Sequence, residues 1–153
     1  MERFKWNPEP RPKFLVNGQI TGAANLPPAI ENRAFLYGDG FFESVRVCSG
    51  KPQLTPFHWN RIQSSLKAHK IDGDAWDQSR FEHALLSLCE ANGIHQGGRL
   101  RLTFFRESGG RYTPLSNQLI WIGEAEKLED SEYVLNEQGL AVDVYPEMKK
   151  SQD

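Results

Sequence analysis

The chain has 153 residues, 39% of them hydrophobic, enough for one domain and part of a second but not for two complete domains. Its 18 basic and 20 acidic residues leave a net charge of −2, which argues against a protein that binds nucleic acid or anionic membranes through its overall field. Two cysteines without metal-type spacing and the lack of a signal-peptide pattern lead us to expect a reduced, cytoplasmic protein.

The first part of the chain predicts a proline-rich extended arm over about a dozen residues, followed by strands. Residues 13–20, KFLVNGQI, predict a short strand ending in a turn, and residues 21–33 predict a loop. Residues 34–54, AFLYGDGFFESVRVCSGKPQL, predict a hairpin with a tight turn at Ser49–Gly50. Neither face of its first strand is purely apolar, because Phe42, Ser44, Arg46 and Cys48 alternate with Glu43, Val45 and Val47.

Two helices and two further strands are predicted next. Residues 55–71 predict a helix with Thr55 as N-cap, and residues 75–94 predict a second helix from the three-and-four spacing of their apolar side chains. Residues 99–107 and 117–125 predict strands joined by a turn. Because strands and helices come in blocks, we predict an α+β fold with helices packed on a mainly antiparallel sheet.

The candidates for chemistry are arginines and a glycine-rich turn. Standard catalytic signatures are absent, and the four histidines do not fall at metal-ligand spacing, so no metal site is expected. Any one arginine is most simply a surface residue, but several converging on one sheet face would suit a small anionic ligand. Those considered are Arg46, Arg61, Arg99, Arg101, Arg106 and Arg111. Gly38 and Gly40 either permit a special backbone or leave room for a ligand.

Taken in order, residues 32–71, NRAFLYGDGFFESVRVCSGKPQLTPFHWNRIQSSLKAHKI, resemble the N-terminal signature of the class IV aminotransferases. This pyridoxal-phosphate (PLP) family includes branched-chain aminotransferases, D-amino-acid aminotransferases and aminodeoxychorismate lyases. Residues 99–114 and 140–146 fall where that family has comparable segments. The resemblance implies a small N-terminal domain whose hairpin forms one wall of an active site between two domains.

The resemblance also implies roles for individual residues. Arg61 matches the family's cofactor-phosphate arginine, which binds phosphate by charge-assisted hydrogen bonds. The side chains implied to line the substrate site are Tyr37, Phe42, Arg46, Arg101, Arg106 and Arg111. Among the last three, which relatives recruit near the substrate carboxylate, Arg111 is the preferred candidate.

The Schiff-base lysine of the family is expected beyond Asp153, so no catalytic residue is assigned in this chain and the chain alone is expected to be inactive. Lys149 and Lys150 come too early and are interpreted as loop residues. We therefore predict a small domain over residues 1–124, a linker over 125–138, and the first strand of a PLP-binding large domain over 139–153. The resemblance implies that the full-length protein is a homodimer acting on an amino acid and a 2-oxo acid.

Three alternatives remain open. Within the family, a lyase releases pyruvate instead, and Glu43, the acid after Phe42, favours the aminotransferases over the lyases. Outside it, the strand RLRLTFF offers basic and aromatic side chains to single-stranded nucleic acid, although the overall charge argues against this. A non-catalytic regulator that keeps the fold without the lysine is the third.

Overall fold

The computed structural model describes residues 12–28, 31–73, 76–135 and 137–144, and its centre is an antiparallel sheet. Six strands in the described residues are ordered β2-β1-β6-β5-β3-β4. Three α-helices and one short 3₁₀ helix (Ala23–Asn25) accompany them in these residues. In chain order the elements are β1 (Lys13–Val16), β2 (Gln19–Gly22), α1 (Arg33–Tyr37), β3 (Gly40–Cys48), β4 (Lys51–Pro52), α2 (Thr55–His69), α3 (Gln78–Ala91), β5 (Gly97–Arg106) and β6 (Leu119–Leu128).

The central strand β5 pairs along its length with both β3 and β6, and this pairing defines two faces of the sheet. Leu100, Leu102 and Phe104 of β5 are buried beneath α2 and α3, together with Val45 and Val47 of β3. Since side chains alternate along a strand, the intervening residues point to the opposite face, here called the open face. The predicted α+β arrangement is confirmed.

Local sequence explains where the helices begin and end. Helix α2 begins at Thr55, but its N-cap is Leu54 with φ 53°, so the predicted cap at Thr55 is wrong by one residue. Thr55 is instead the first helical residue, and its hydroxyl donates to Glu82 of α3 at 3.1 Å. Helix α3 is capped by Asp77, whose carboxylate accepts from the Arg80 amide at 2.8 Å.

The predicted hairpin of β3 and β4 is present but short. Ser49 and Gly50 both have positive φ, at 47° and 72°, as a two-residue turn of this kind requires. Strand β4 ends at Pro52, and one more bond to β3 follows it, from the Gln53 amide to the Arg46 carbonyl oxygen at 2.8 Å. Most of β3 therefore has β5 as its only partner strand in the described residues.

Four parts of the fold differ from the expectation. Residues 13–20, expected as one strand ending in a turn, form β1 and the start of a second strand, β2, which continues to Gly22 in the expected loop. Residues 33–37 form helix α1 instead of the approach to a strand, because the Asn32 side chain accepts from the Ala34 amide at 2.8 Å and so caps a helix. Strand β6 continues to Leu128, past residue 125, since β5 pairs with it over its full length. Residues 140–144 form no strand in the described part, where they have no neighbouring strand to pair with.

Several expectations fall outside the described residues or are not tested by them. Nearly all of the N-terminal arm, together with Lys149 and Lys150, lies outside the described ranges. The division into small domain, linker and large domain stays a prediction. No helix in the described ranges has the length and apolar character needed to cross a membrane.

Candidate active site

The turn between α1 and β3 explains the two glycines that the sequence singled out. Gly38 ends α1 in the left-handed region with φ 65°, where a side chain would be strained. Gly40 begins β3 so close to β5 that a Cβ would come within 2.5 Å of the Phe104 carbonyl oxygen. The backbone conformation at position 38 and the close packing at position 40 thus both require glycine, and these two glycines fix the path of the chain into the site.

Asp39, between these glycines, accepts from two buried arginines. Its carboxylate receives Arg33 Nε at 2.7 Å and Arg106 Nε at 3.1 Å. Burial by itself raises the pKa of Asp39, but the hydrogen bonds and charges of Arg33 and Arg106 together bring that pKa below its ordinary value. The turn is therefore held in place by an ionised carboxylate that two guanidinium groups share.

Arg106 uses all of its N–H groups inside the protein. Besides Asp39, it donates to the carbonyl oxygens of His69, at 2.6 Å, and Lys70, at 3.0 Å, and to the side chain of Asn117. Only 7% of the surface of Arg106 is exposed to solvent. The structure thus places Arg106 where it closes the end of α2, and we do not include it among the substrate ligands proposed below.

Glu43, His58 and Arg61 form a cluster between β3 and α2. Glu43 Oε1 lies 2.9 Å from His58 Nδ1 and also contacts Arg61 Nη2, and Glu43 Oε2 accepts from Arg61 Nε at 3.1 Å. The Glu43 side chain is buried and that of His58 is 12% exposed, whereas that of Arg61 is 66% exposed. Hydrogen bonding to Glu43 raises the pKa of Arg61 above its ordinary value, so this arginine is a fixed cation.

A cavity of about 500 Å³ opens beside this cluster, lined by Phe42, Glu43, Asn60, Arg61, Ser64 and Ser65. Arg61 Nη1 makes no hydrogen bond within the part of the chain that the structure describes, whereas Nε and Nη2 are bound to Glu43. Arg61 Nη2 also lies 3.2 Å from His58 Nδ1, so the cluster places at the cavity a guanidinium whose Nη1 has no hydrogen-bond partner among the described residues.

Phe42 and Arg101 lie together on the open face. The Arg101 guanidinium stacks over the Phe42 ring at 4.0 Å, and its Nε lies 3.7 Å from Glu124 Oε1. The next pair along the strands is Arg99 with Glu126, at 2.7 Å. A cation stacked on an aromatic ring keeps its N–H edges available for a carboxylate, so Arg101 is a suitable ligand for an anion at this face.

The remaining predicted site residues do not converge with these. Arg46 donates to the main-chain carbonyl oxygens of Asp130, at 2.5 Å, and Glu132, at 3.2 Å, so it binds the segment that follows β6. Tyr37 is half exposed, with the Arg33 guanidinium 5.0 Å from the centre of its ring. Arg111 is exposed in the turn between β5 and β6.

Asp39 and His58 were not predicted as members of the site, and Glu43 was considered only as a residue that distinguishes related enzymes. One signal was available, because Glu43 is a lone acid on the strand face that carries Val45 and Val47, and a buried carboxylate needs a partner. His58 and Arg61, three residues apart on one helix face, were suitable partners. In the described ranges there is no group of three or more histidine, cysteine, aspartate and glutamate side chains that could bind a metal ion.

A family model and a curated relative both indicate similarity to aminotransferases. A model of the family described as amino-transferase class IV matches residues 40–146. Among curated proteins, the D-alanine aminotransferase of Staphylococcus epidermidis is 24% identical over 91 residues, covering 60% of this chain and 32% of that protein.

Solved structures with the same fold include two of different activity. A T.th. branched-chain amino acid aminotransferase complexed with N-(5'-phosphopyridoxyl)-L-glutamate matches with a TM-score of 0.67 and 18% identity, covering 77% of this chain and 41% of that one. The 4-amino-4-deoxychorismate lyase from Pseudomonas aeruginosa matches with a TM-score of 0.58 and 27% identity, covering 74% and 39%. The chain spans about a third of the curated relative and about two fifths of each solved protein.

Proposed function

Because the chain belongs to the amino-transferase class IV family, we propose that it supplies the small-domain wall of a PLP site in a protein that transfers an amino group from an amino acid to a 2-oxo acid. The observation that carries this proposal is the exposed edge of Arg61, fixed by Glu43 beside a cavity. The phosphopyridoxyl compound in a structural relative supports the choice of cofactor.

The residues at this cavity fit a phosphate group. A guanidinium with a free N–H edge donates strong hydrogen bonds to phosphate oxygens, and the amide side chain of Asn60 and the hydroxyl of Ser65 add neutral polar groups. Glu43 holds the guanidinium in one orientation, so less conformational entropy is lost when phosphate binds. When bound, PLP supplies an electron-withdrawing ring that stabilises negative charge at the substrate carbon beside its carboxylate.

For the substrate we propose Arg101 as the carboxylate ligand and Phe42 as the apolar wall that holds it. Their 4.0 Å stack is the supporting geometry. Arg46, Tyr37 and Arg111 do not converge on this pair, so we do not assign them as substrate ligands. The family likeness also leads us to propose a cytoplasmic homodimer for the whole protein.

Phosphate recognition can be tested on the 153-residue chain with pyridoxine 5′-phosphate, which lacks the aldehyde that reacts with surface lysines. We expect it to bind about tenfold more tightly than pyridoxine, because a charge-assisted hydrogen bond is added. The variant Arg61→Gln should lose this preference. Arg99→Gln, at another exposed arginine that pairs with a glutamate, is the matched control and should keep it.

The result that would overturn the phosphate assignment is equal affinity for pyridoxine 5′-phosphate and pyridoxine in the unaltered chain, measured by titration calorimetry.

A second experiment addresses the reaction itself in the full-length protein. The 27% identity to a lyase keeps pyruvate release as the alternative. Formation of a new amino acid from a 2-oxo acid supports amino transfer, whereas pyruvate release without an amino acceptor would establish the lyase reaction.

A further inference from the structure

A second cavity, of about 620 Å³, lies on the helix-covered side of the sheet. It forms where the β1–β2 turn, the segment after α2, the first turns of α3 and the start of β6 meet. Its volume is typical of small-molecule sites. It shares no lining residue with the Arg61 cavity among the described residues, so the two cavities are separate.

The walls of this second cavity are tied to β6 by hydrogen bonds. The Asn17 amide donates to the Trp121 carbonyl at 3.0 Å, and the Trp121 amide donates back to Asn17 Oδ1 at 2.9 Å. On the other side, the Asp72 amide donates to the Asn117 carbonyl at 2.8 Å. These bonds hold both walls in place without a ligand, which reduces the cost of ordering them when one binds.

The floor of the cavity is aromatic. Trp76 and Trp121 lie with their ring centres 4.3 Å apart, and Leu119 and Ala84 add aliphatic surface. Trp121 is almost fully buried, whereas Trp76 is partly exposed and supplies the accessible ring surface. Such a floor favours a ligand with an aromatic or large apolar body.

The rim carries opposite charges on different elements. Asp72, in the segment after α2, supplies an exposed carboxylate. Arg80 and His83, three residues apart on α3, supply a guanidinium and an imidazole on one helix face. Arg80 also pairs with Asp77, at 3.7 Å. A carboxylate can bind an ammonium group while the groups on α3 bind a carboxylate, and an amino acid carries both.

From these observations we infer that this second cavity binds a free amino acid with an aromatic or large apolar side chain. The side chain lies on the Trp76 surface, the ammonium group faces Asp72, and the carboxylate faces His83 and Arg80. This site is separate from the proposed reaction site, and its occupation does not require PLP.

The test compares three molecules of similar shape on the ¹⁵N-labelled 153-residue chain: L-phenylalanine, phenethylamine and 3-phenylpropionate. The backbone amides of Gly18 and Gly73, which line the cavity, report binding by their NMR shifts. Because each exposed charge contact is weak, we expect phenylalanine to bind about two- to fivefold more tightly than either singly charged analogue. Equal affinities, or shifts confined to other regions, would overturn the inference.

Two variants and one control variant sharpen this test. Asp72→Asn preserves shape and should remove the advantage of phenylalanine over 3-phenylpropionate. Ser79→Phe places a large side chain at the cavity rim and should abolish binding, whereas Glu90→Phe, three turns further along α3, should leave the Kd unchanged. An unchanged Kd in Asp72→Asn would refute the site, and this isosteric change decides the question even if Ser79→Phe fails to fold.

Discussion

Replacing Asp39 with asparagine tests whether the shared carboxylate holds the site in place. The side chains of Arg33 and Arg106 are 5% and 8% exposed, and that of Asp39 is 16% exposed. Asp39→Asn therefore leaves two buried guanidinium groups without their carboxylate. Loss of one partner from a buried ion pair costs about 3–5 kcal/mol, a large part of the roughly 5–15 kcal/mol by which a domain is stable.

The assay is urea unfolding at pH 7 followed by tryptophan fluorescence, with Glu126→Gln as the control. Glu126 pairs with Arg99 at 2.7 Å, but both side chains are more than half exposed, so its loss should cost at most about 1 kcal/mol. If Asp39→Asn and Glu126→Gln lower the free energy of unfolding equally, Asp39 does not hold the arginines as described.

The loss of stability caused by Asp39→Asn should depend on pH. The pKa of Asp39 is lower in the folded chain than its ordinary value of 3.8. The stability it contributes is therefore fully present above that ordinary value and is lost as the pH falls through the folded pKa. The difference between the unaltered chain and Asp39→Asn should shrink below about pH 4. A difference that stays constant down to pH 2 contradicts the assignment.

The remaining predictions concern one glycine and the two cysteines. Gly40→Ala should destabilise the chain by about 1–3 kcal/mol or more, because its Cβ meets the Phe104 carbonyl at 2.5 Å. Gly22→Ala, with no atom within 4 Å of the added Cβ, should change the free energy of unfolding by less than about 0.5 kcal/mol, and equal losses would contradict the packing argument. Burial raises the pKa of Cys89 to about 11, so iodoacetamide at pH 8 should label the partly exposed Cys48 and spare Cys89 until urea unfolds the chain. Rapid labelling of Cys89 in the folded chain would show that its thiol is accessible.

The elements that the sequence predicted correctly are those with strong local signals. Helix α3 was predicted over residues 75–94 from apolar residues at three-and-four spacing and a stop at Asn92–Gly93. It spans Gln78–Ala91 and ends before that pair, whereas its N-cap, Asp77, was not predicted. The hairpin turn at Ser49–Gly50 was also predictable, because few residues adopt the positive φ that it needs. Helix α1 was missed because five residues carry no periodic pattern, and its N-terminal cap is a single asparagine.

The arginines show why the site could be predicted only in part. Arg61 and Arg106 have the same side chain, and their neighbours in the sequence do not reveal which is buried. The difference arises from chain segments far apart in sequence. Arg106 binds Asp39 and the end of α2, whereas the partners of Arg61 in the described ranges are Glu43 and His58 of its own helix. The residue type therefore indicated that an anion could bind, but the burial and hydrogen-bond partners of each arginine were required to decide which arginine is available to bind it.

The contact that Arg46 makes with the segment after β6 has a further consequence for which mutations the chain tolerates. Arg46 donates to the carbonyl oxygens of residues 130 and 132, which every amino acid possesses, and not to the carboxylates of Asp130 and Glu132. Substitution of either side chain leaves these acceptors in place, whereas substitution of Arg46 removes both bonds. The Ser49 amide likewise donates to a main-chain acceptor of this segment, the Ser131 carbonyl oxygen, at 3.2 Å, so these contacts with β3 and its turn depend on the segment's backbone and tolerate changes in the side chains of Asp130, Ser131 and Glu132.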